Sequence, residues 1–88
     1  EARVSDLKKR FEDAAAAVKK LKEDPGNDAK LQLYALYKQG SEGDVAGKRP
    51  GFTDMIGRAK YDAWAKTKGM SKDEAMKKYA ELVKSLRG

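Results

Sequence analysis

The 88-residue sequence contains no cysteine and no histidine. Without a thiol or an imidazole there is no thiolate nucleophile, no imidazole general base and no zinc site of the usual nitrogen and sulfur ligands. The absence of cysteine fits a cytoplasmic protein, which is the location we expect. No apolar run approaches the ~20 residues needed to cross a bilayer, and no signal-peptide pattern is present. The carboxylates are the next candidates for catalysis.

The carboxylates show no catalytic arrangement. Fourteen are present, and most stand beside lysines on predicted outer helix faces, as in Glu12–Asp13, Glu23–Asp24 and Asp73–Glu74. No pair falls on an apolar face, where burial would raise a pKa for acid–base chemistry. We therefore expect no enzymatic activity, no catalytic residue, no metal site and no cofactor.

Charge and size indicate a small domain with an anionic partner. Residues 1–88 are predicted to form a single domain, with 40% hydrophobic and 39% charged residues and a net charge of +6. A domain this small buries roughly 60% of its unfolded surface, so its core is modest. The positive charge favours nucleic acid, an anionic membrane surface or a phosphorylated metabolite as a partner.

Apolar spacing predicts two helices in the first half of the chain. The first runs from about Ser5 to Lys22 and is stopped by Pro25, which lacks an amide proton. The second runs from about Asp28 to Gln39, with Asn27 or Asp28 as its N-cap and Gly40 as its C-terminal stop. Its apolar residues cover more than half of its circumference, which implies burial on two sides or a surface kept for a ligand.

Two further helices follow a long connection. Gly40–Gly51 is predicted to be an ordered loop between helices, with a binding role less favoured. Thr53 or Asp54 would cap the third helix, which ends near Lys68 and has Ile56, Ala59, Ala63 and Trp64 on its inner face. The fourth helix opens with a capping box, Ser71 and Glu74, and has a regular inner stripe. That stripe consists of Ala75, Met76, Tyr79, Leu82, Val83 and Leu86.

One face of the second helix has the composition of a binding surface. Tyr34, Tyr37 and Lys38 stand at i, i+3 and i+4, so two rings and a cation share that face. The combination suits a ligand with one stacking surface and one anionic group. Lys60 falls in an apolar arc of the third helix, where a lone lysine usually extends its amine to water. Tyr79 belongs to the inner stripe of the fourth helix, and taken alone it is a core residue. The sequence pattern does not show whether Lys60 or Tyr79 contacts the second helix.

Five motifs then resemble the acyl-CoA-binding protein family. The motifs stand in the family's order and spacing, and the match extends from about Phe11 to Leu86. They are Tyr34–Gln39 (YALYKQ), Gly43–Asp44, Arg49–Phe52 (RPGF), Lys60–Trp64 (KYDAW) and Lys68–Lys72 (KGMSK). The last motif is followed by Ala75, Met76 and Tyr79. The resemblance implies an all-α, up-down-down-up four-helix bundle. It also implies that the protein binds long-chain acyl-CoA and acts as an intracellular carrier and pool former.

The resemblance also implies a set of site residues. Tyr34, Lys38 and Lys60 would hold the ribose 3′-phosphate, Tyr37 would stack on adenine, and Tyr79 would touch the nucleotide. A lysine of the first helix, Lys19, would contribute, and Ala35 and Leu36 lie between the motif tyrosines and are included in the predicted acyl-CoA site. The acyl chain would lie in a groove near the first two helices, with Phe11, Ala15 and Leu31 as its candidate lining.

The chain departs from the family pattern at a few positions. Tyr61 stands where the family usually has tryptophan, which concerns packing more than ligand chemistry. Lys30 stands where the family often has an apolar residue beside the groove, so it is a candidate for changing the acyl-chain preference.

The alternative function is a small basic helical module that binds nucleic acid or an acidic protein partner. Against nucleic acid, the lysines are spread over all four helices and mixed with acidic residues, and no helix-turn-helix signature is present. We expect a monomer with long-chain acyl-CoA as ligand, no nucleic-acid partner and at most transient membrane contact.

Overall fold

The computed structural model describes residues 2–87, with side chains from Asp6 onward. Within this range the chain forms four helices and no strand: α1 (Ala2–Val18), α2 (Asn27–Glu42), α3 (Met55–Ala65) and α4 (Lys72–Arg87). None of the helices over residues 2–87 has the length and hydropathy required to traverse a bilayer.

Helix α2 is the centre of the bundle. It packs against both α3 and α4, and α4 packs in turn against α1. The broad apolar surface of α2 predicted either burial on two sides or a surface kept for a ligand, and the packing shows the burial on two sides. The main core cluster joins α1, α2 and α4 and consists of Phe11, Ala14, Leu33, Tyr79 and Val83. The predicted inner stripe of α4 is also confirmed, because each of its residues is buried or half-buried.

Helix α1 lies earlier in the chain than predicted, because it begins at Ala2 rather than at Ser5 and ends at Val18 rather than at Lys22. Beyond Val18 the chain tightens into i→i+3 turns, in which the Lys20 amide donates to the Ala17 carbonyl oxygen at 2.9 Å. The Asp24 carboxylate then accepts hydrogen bonds of 2.8 Å from the Gly26 amide and from Lys30 Nζ. The connection to α2 therefore begins well before Pro25.

The predicted N-cap and the predicted C-terminal stop of α2 are both wrong. Gly26, at φ 94°, is the N-cap and makes no side-chain cap bond, so neither Asn27 nor Asp28 fills that role. At the other end the helix runs through Gly40 to Glu42 and is terminated by Gly43 at φ 90°. Gly40 therefore lies inside the helix, where a Cβ would come within 3.1 Å of Met76 Cγ and 3.2 Å of the Phe11 ring. That glycine permits close helix packing and does not stop the helix.

The predicted start of α3 is confirmed and its end is not. The Asp54 carboxylate accepts a 2.9 Å hydrogen bond from the Gly57 amide, so Asp54 is the N-cap. The helix ends at Ala65 and not near Lys68, because the next residues form i→i+3 turns that lead to Gly69 at φ 93°. At the start of α4, Ser71 Oγ accepts from the Glu74 amide at 3.0 Å, as the capping box predicted.

The predicted inner face of α3 is only partly correct. Trp64 is buried and Ala63 is half-buried, whereas Ile56 is 72% exposed and Ala59 is exposed. The reason is that α3 packs mainly on α2, so its first turn extends past the core.

The loop between α2 and α3 is held against α3. The Arg49 guanidinium donates two hydrogen bonds to the Asp62 carboxylate, at 2.8 and 2.7 Å. The Tyr61 hydroxyl donates to the Gly47 carbonyl oxygen at 3.0 Å. These bonds confirm an ordered connection, and they give Tyr61 a place in fixing it.

Candidate ligand-binding site

Lys60 and Tyr34 meet between α3 and α2. The Lys60 amine lies 5.5 Å from the centroid of the half-buried Tyr34 ring, within the range of a cation–π interaction. Lys60 itself is exposed, so its amine remains accessible to a ligand. The convergence of these two residues, which the sequence pattern does not show, is therefore present in the fold.

Lys38 is a second cation on the same side of α2. Its amine lies 5.0 Å from the centroid of the buried Trp64 ring and donates a hydrogen bond to the Glu42 carboxylate. That hydrogen bond raises the pKa of the Lys38 amine, while burial opposes the rise. Lys38 is thus firmly protonated, and an incoming anion would compete with Glu42 for it.

Three rings from α1, α2 and α4 form an aromatic cluster. Phe11 stacks on Tyr37 with centroids 5.3 Å apart and planes at 25°, and it meets Tyr79 edge-on at 5.1 Å. Tyr37 is 42% exposed, so its ring is available to a planar ligand group. Tyr79 is only 4% exposed, and burial raises the pKa of its phenol. Tyr79 supports Tyr37 from the core side, and its predicted contact with the nucleotide stays a prediction.

The three predicted groove residues do not line one groove. Phe11 and Ala15 line a cavity of about 500 Å³ together with Tyr37, which we call the Phe11 groove. Leu31 lines a separate cavity of about 640 Å³ between α2 and α3, which we call the Leu31 groove. The predicted groove residues therefore belong to two cavities, and their role in binding the acyl chain stays a prediction.

The Leu31 groove contains two more of the predicted site residues. Ala35 and Leu36 line it from α2, opposite Ala59 and Ala63 of α3. Its remaining lining is mostly polar and consists of Asp28, Gln32, Asp62, Lys66, Thr67, Met70 and Lys78. An apolar strip bordered by polar side chains is suited to an extended aliphatic chain.

Lys19 and Lys30 lie outside these clusters. Lys19 is exposed on the turn that follows α1, and none of the described contacts joins it to Tyr34, Lys38 or Lys60. Its role stays a prediction. Lys30 is exposed and donates to Asp24, and this hydrogen bond lowers the pKa of the Asp24 carboxyl. Lys30 therefore holds the α1–α2 connection.

Gln39 is an organising residue that sequence reasoning missed. It is fully buried, and its amide nitrogen donates 2.8 Å hydrogen bonds to Asp44 Oδ1 and to the Met70 carbonyl oxygen. Its amide oxygen accepts from Thr67 Oγ1 at 2.9 Å. A signal was present, because Gln39 stands four residues after Ala35 and so shares its buried face.

The hydrogen bonds of Gln39 connect three segments near the site. They join the end of α2, which carries Lys38, to the following loop and to the α3–α4 connection. Asp44 also accepts from the Gly69 amide at 2.9 Å, and this bond, followed by that from Gln39, lowers the pKa of the Asp44 carboxyl. The backbone that carries Lys38 is therefore fixed by a buried polar network.

The fold and the site together define an all-α binding domain for an anionic ligand with a planar ring. A family model described as Acyl CoA binding protein matches residues 8–83. The chain belongs to the acyl-CoA-binding protein family.

Proteins similar to this chain carry the name of the same family. Acyl-CoA-binding protein homolog 1 of Caenorhabditis elegans is 53% identical over 76 residues, which cover 86% of this chain and 88% of that protein. The crystal structure of Oryza sativa Acyl-CoA-Binding Protein 2 superposes with a TM-score of 0.87 at 44% identity, covering 91% of this chain and 89% of that one. The predicted all-α fold of this family is confirmed.

Two relatives, from rat and human, are named as an enzyme. Human Enoyl-CoA delta isomerase 2 is 49% identical over 78 residues, which cover 89% of this chain but only 20% of the isomerase. The similarity therefore concerns a segment of that larger protein.

Proposed function

We propose that the protein binds long-chain acyl-CoA thioesters and acts as their carrier and pool former. The observation that carries this proposal is the convergence of Lys60, Tyr34 and Lys38 beside the exposed ring of Tyr37, in a chain of the acyl-CoA-binding protein family. Acyl-CoA combines a phosphorylated adenosine with an apolar tail. The cations and the exposed Tyr37 ring suit the phosphorylated adenosine, and the apolar grooves suit the tail.

The headgroup is assigned to the cations and the exposed tyrosine. Lys38 and Lys60, with the Tyr34 hydroxyl, would hold the 3′-phosphate, since charge-assisted hydrogen bonds contribute about 1.5–3 kcal/mol each. Adenine would stack on Tyr37, which is worth about 1–3 kcal/mol by analogy with base stacking in single-strand binders. The contribution of Lys19 belongs to the same proposal and rests on the resemblance.

The acyl chain is assigned to the Leu31 groove. Its volume of about 640 Å³ is larger than that of the Phe11 groove and lies within the usual range of ligand pockets. Ala35 adjoins Tyr34 in the chain, so a tail entering beside the headgroup would run along α2 towards Leu31. Each methylene removed from water would add about 0.8 kcal/mol, so the tail would dominate affinity.

The protein would bind and deliver its ligand without changing it. We propose that it has no enzymatic activity, because no described group is placed to attack or activate a thioester. A thioesterase assay should stay at its background rate, and turnover above background would contradict this. We also propose a cytoplasmic monomer, which gel filtration and cell fractionation would test.

Calorimetry with acyl-CoA tests the headgroup assignment. Affinity should rise with acyl-chain length, and Lys60→Ala should weaken binding of palmitoyl-CoA about tenfold, equivalent to about 1.4 kcal/mol. The same substitution should leave binding of palmitoyl-dephospho-CoA unchanged, because this ligand lacks the 3′-phosphate that Lys60 would bind. Lys77→Ala removes an exposed cation from α4 and serves as the matched control. Unchanged affinity for palmitoyl-CoA in both Lys60→Ala and Lys38→Ala would contradict the phosphate assignment.

The alternative function, binding of nucleic acid, gains no support from the relatives. A binding titration with a nucleic-acid duplex tests it. At physiological salt we expect no binding of the duplex, and nucleic-acid affinity would in any case fall steeply as salt rises. Tight duplex binding together with no response to acyl-CoA would reject the proposed function.

A further inference from the structure

A groove of about 330 Å³ lies between α1 and α4, away from the residues of the proposed acyl-CoA site. Ala14 and Val83 are buried at its floor, and the exposed side chains of Arg10, Lys84 and Arg87 border it. We call it the α1–α4 groove. It shares no lining residue with either of the two grooves described above, so a molecule bound here would leave the acyl-CoA site open.

A second cavity, of about 570 Å³, adjoins the α1–α4 groove, because Arg87 lines both. Leu21 and Leu86 are its largest apolar side chains, and both are half-buried. Lys20 and Lys22 are exposed at its border. We call this cavity the Leu21 cleft. Where α1 and α4 end, the bundle therefore has apolar recesses bordered by cations.

The charge of the two cavities is strongly positive. Their linings together contain five cations and three carboxylates. Two of the carboxylates are already paired, since Asp13 binds Lys9 and Asp24 binds Lys30. Over the side chains that the structure describes, residues 6–87, none of the five cations forms an ion pair. Positive charge beside two paired carboxylates is complementary to an anionic partner.

We propose that the α1–α4 groove and the Leu21 cleft bind an acidic peptide segment of a partner protein. Carboxylates of the segment would pair with Arg10, Lys84 and Arg87, and an aliphatic side chain beside them would enter the Leu21 cleft. A guanidinium can donate two parallel hydrogen bonds to one carboxylate, and clusters of arginine are a recurring means of recognising acidic motifs.

The recessed apolar side chains favour a peptide over other anionic partners. A bilayer is entered by apolar side chains that project from the fold, whereas Val83 is 2% exposed and Leu21 and Leu86 are half-buried. A nucleic-acid backbone has no aliphatic side chain to fill the Leu21 cleft. A second copy of this chain carries the same net charge of +6, which opposes its approach.

A nuclear magnetic resonance titration of the isotope-labelled protein tests the proposal. The probe is a synthetic peptide of sequence EELEELEE. Amide signals around Arg10, Val83 and Arg87 should shift, equally in the ligand-free protein and in protein saturated with palmitoyl-CoA. The same peptide with serine in place of leucine should bind several-fold more weakly, because the apolar contact is lost. Shifts centred on Tyr34 and Lys60 that disappear with palmitoyl-CoA would overturn the proposal, since the peptide would then occupy the phosphate site.

A matched pair of charge variants locates the site. Arg10→Gln combined with Arg87→Gln should weaken peptide binding about tenfold, in keeping with the loss of two ion pairs. Lys77→Gln removes an exposed cation of α4 outside both cavities and should leave peptide binding near the wild-type value. The affinity of the double variant for palmitoyl-CoA, measured by calorimetry, should be unchanged, which also shows that this variant is folded.

Two further outcomes would reject an acidic segment as the partner. Equal peptide affinity of the wild type and the Arg10→Gln/Arg87→Gln variant would show that these cations do not hold the carboxylates. Absence of any shift with the peptide would also overturn the proposal. If a DNA duplex or phosphatidylserine vesicles then shift the signals around Arg10 and Arg87, the groove would be assigned to that polyanion instead.

Discussion

At the scale of single residues, the Glu42 carboxylate binds Lys38 and so competes with a ligand phosphate for this cation. Glu42 lies one turn after Lys38 and accepts a hydrogen bond from its amine. The same hydrogen bond raises the pKa of Lys38. A ligand phosphate must share or displace the carboxylate, and the carboxylate repels it. Glu42 therefore opposes binding while it keeps Lys38 charged.

Glu42→Gln should consequently strengthen acyl-CoA binding. We expect about a two- to fivefold gain, in keeping with the modest energies of exposed ion pairs, measured by calorimetry with palmitoyl-CoA. Asp13→Asn breaks the equivalent i,i+4 pair with Lys9 on α1 and is the matched control. Weaker binding by Glu42→Gln would mean that the carboxylate orients Lys38 for the ligand.

Gln39 is the residue on which the local backbone depends most. Gln39→Leu keeps the approximate volume but removes the hydrogen bonds to Asp44, Met70 and Thr67. We expect a loss of about 2–3 kcal/mol in the free energy of unfolding, because buried partners are left without hydrogen bonds. Urea denaturation measures this, with Gln32→Leu at an exposed position of α2 as the control. A loss no larger than that of the control would show that water replaces the amide.

Most of the predicted site residues belong to recognisable motifs, so they could be named from the sequence. Tyr34, Tyr37 and Lys38 share a helix face by spacing alone, which is a local property. Lys60 and Tyr79 were assigned through the resemblance, because contacts between different helices have no local signature. Gln39 was missed because its role depends on partners in two later connections.

At the scale of elements, helix interiors followed from apolar spacing, whereas the ends of α1 and α2 and the end of α3 did not. α4 was predicted well because its capping box and its stripe are both encoded within the helix. α2 was misjudged at Gly40, since glycine is a common terminator in isolation. Here α1 and α4 pack so closely that position 40 has no room for a side chain. A rule based on neighbouring residues in the sequence does not detect this constraint.

Gly40→Val tests this interpretation of α2. The added side chain would meet Met76 and Phe11, so we expect the free energy of unfolding to fall by about 1–3 kcal/mol, as for other overpacked cores. Ser41→Val places the same side chain at the next, exposed position of α2 and should change stability by less than about 0.5 kcal/mol. Thermal or urea denaturation of both variants decides the matter. Equal stability of the two would mean that the helices separate without cost at Gly40.

At the scale of the whole molecule, three carboxylates hold connections between helices together. Asp24 binds Lys30 and Gly26, Asp44 binds Gly69 and Gln39, and Asp62 binds Arg49. These hydrogen bonds lower the pKa of each carboxyl below its ordinary value. In each case a favourable contact is made by the charged form, so the folded state prefers the deprotonated acid.

Stability should therefore fall in acid. A lowered folded-state pKa means that the unfolded chain takes up protons first, so stability is full above about pH 5 and declines as pH falls through about 4. Urea midpoints measured from about pH 6 to about pH 3 should show this decline, and Asp44→Asn should flatten it relative to Asp73→Asn, whose carboxyl is exposed on α4. A wild-type profile that stays flat through this interval would exclude the three carboxylates as stabilising groups.

The sequence by itself determined the class of fold, the approximate helices and the face of α2 that carries Tyr34, Tyr37 and Lys38. These depend on periodicity and composition, which act over a few neighbouring residues. Only the tertiary structure decided that Lys60 reaches Tyr34, that Gly40 is a packing position and that Leu31 and Phe11 line separate grooves. Those facts depend on which faces of α2 are covered by α1, α3 and α4, and that arrangement is set by the packing of the whole bundle.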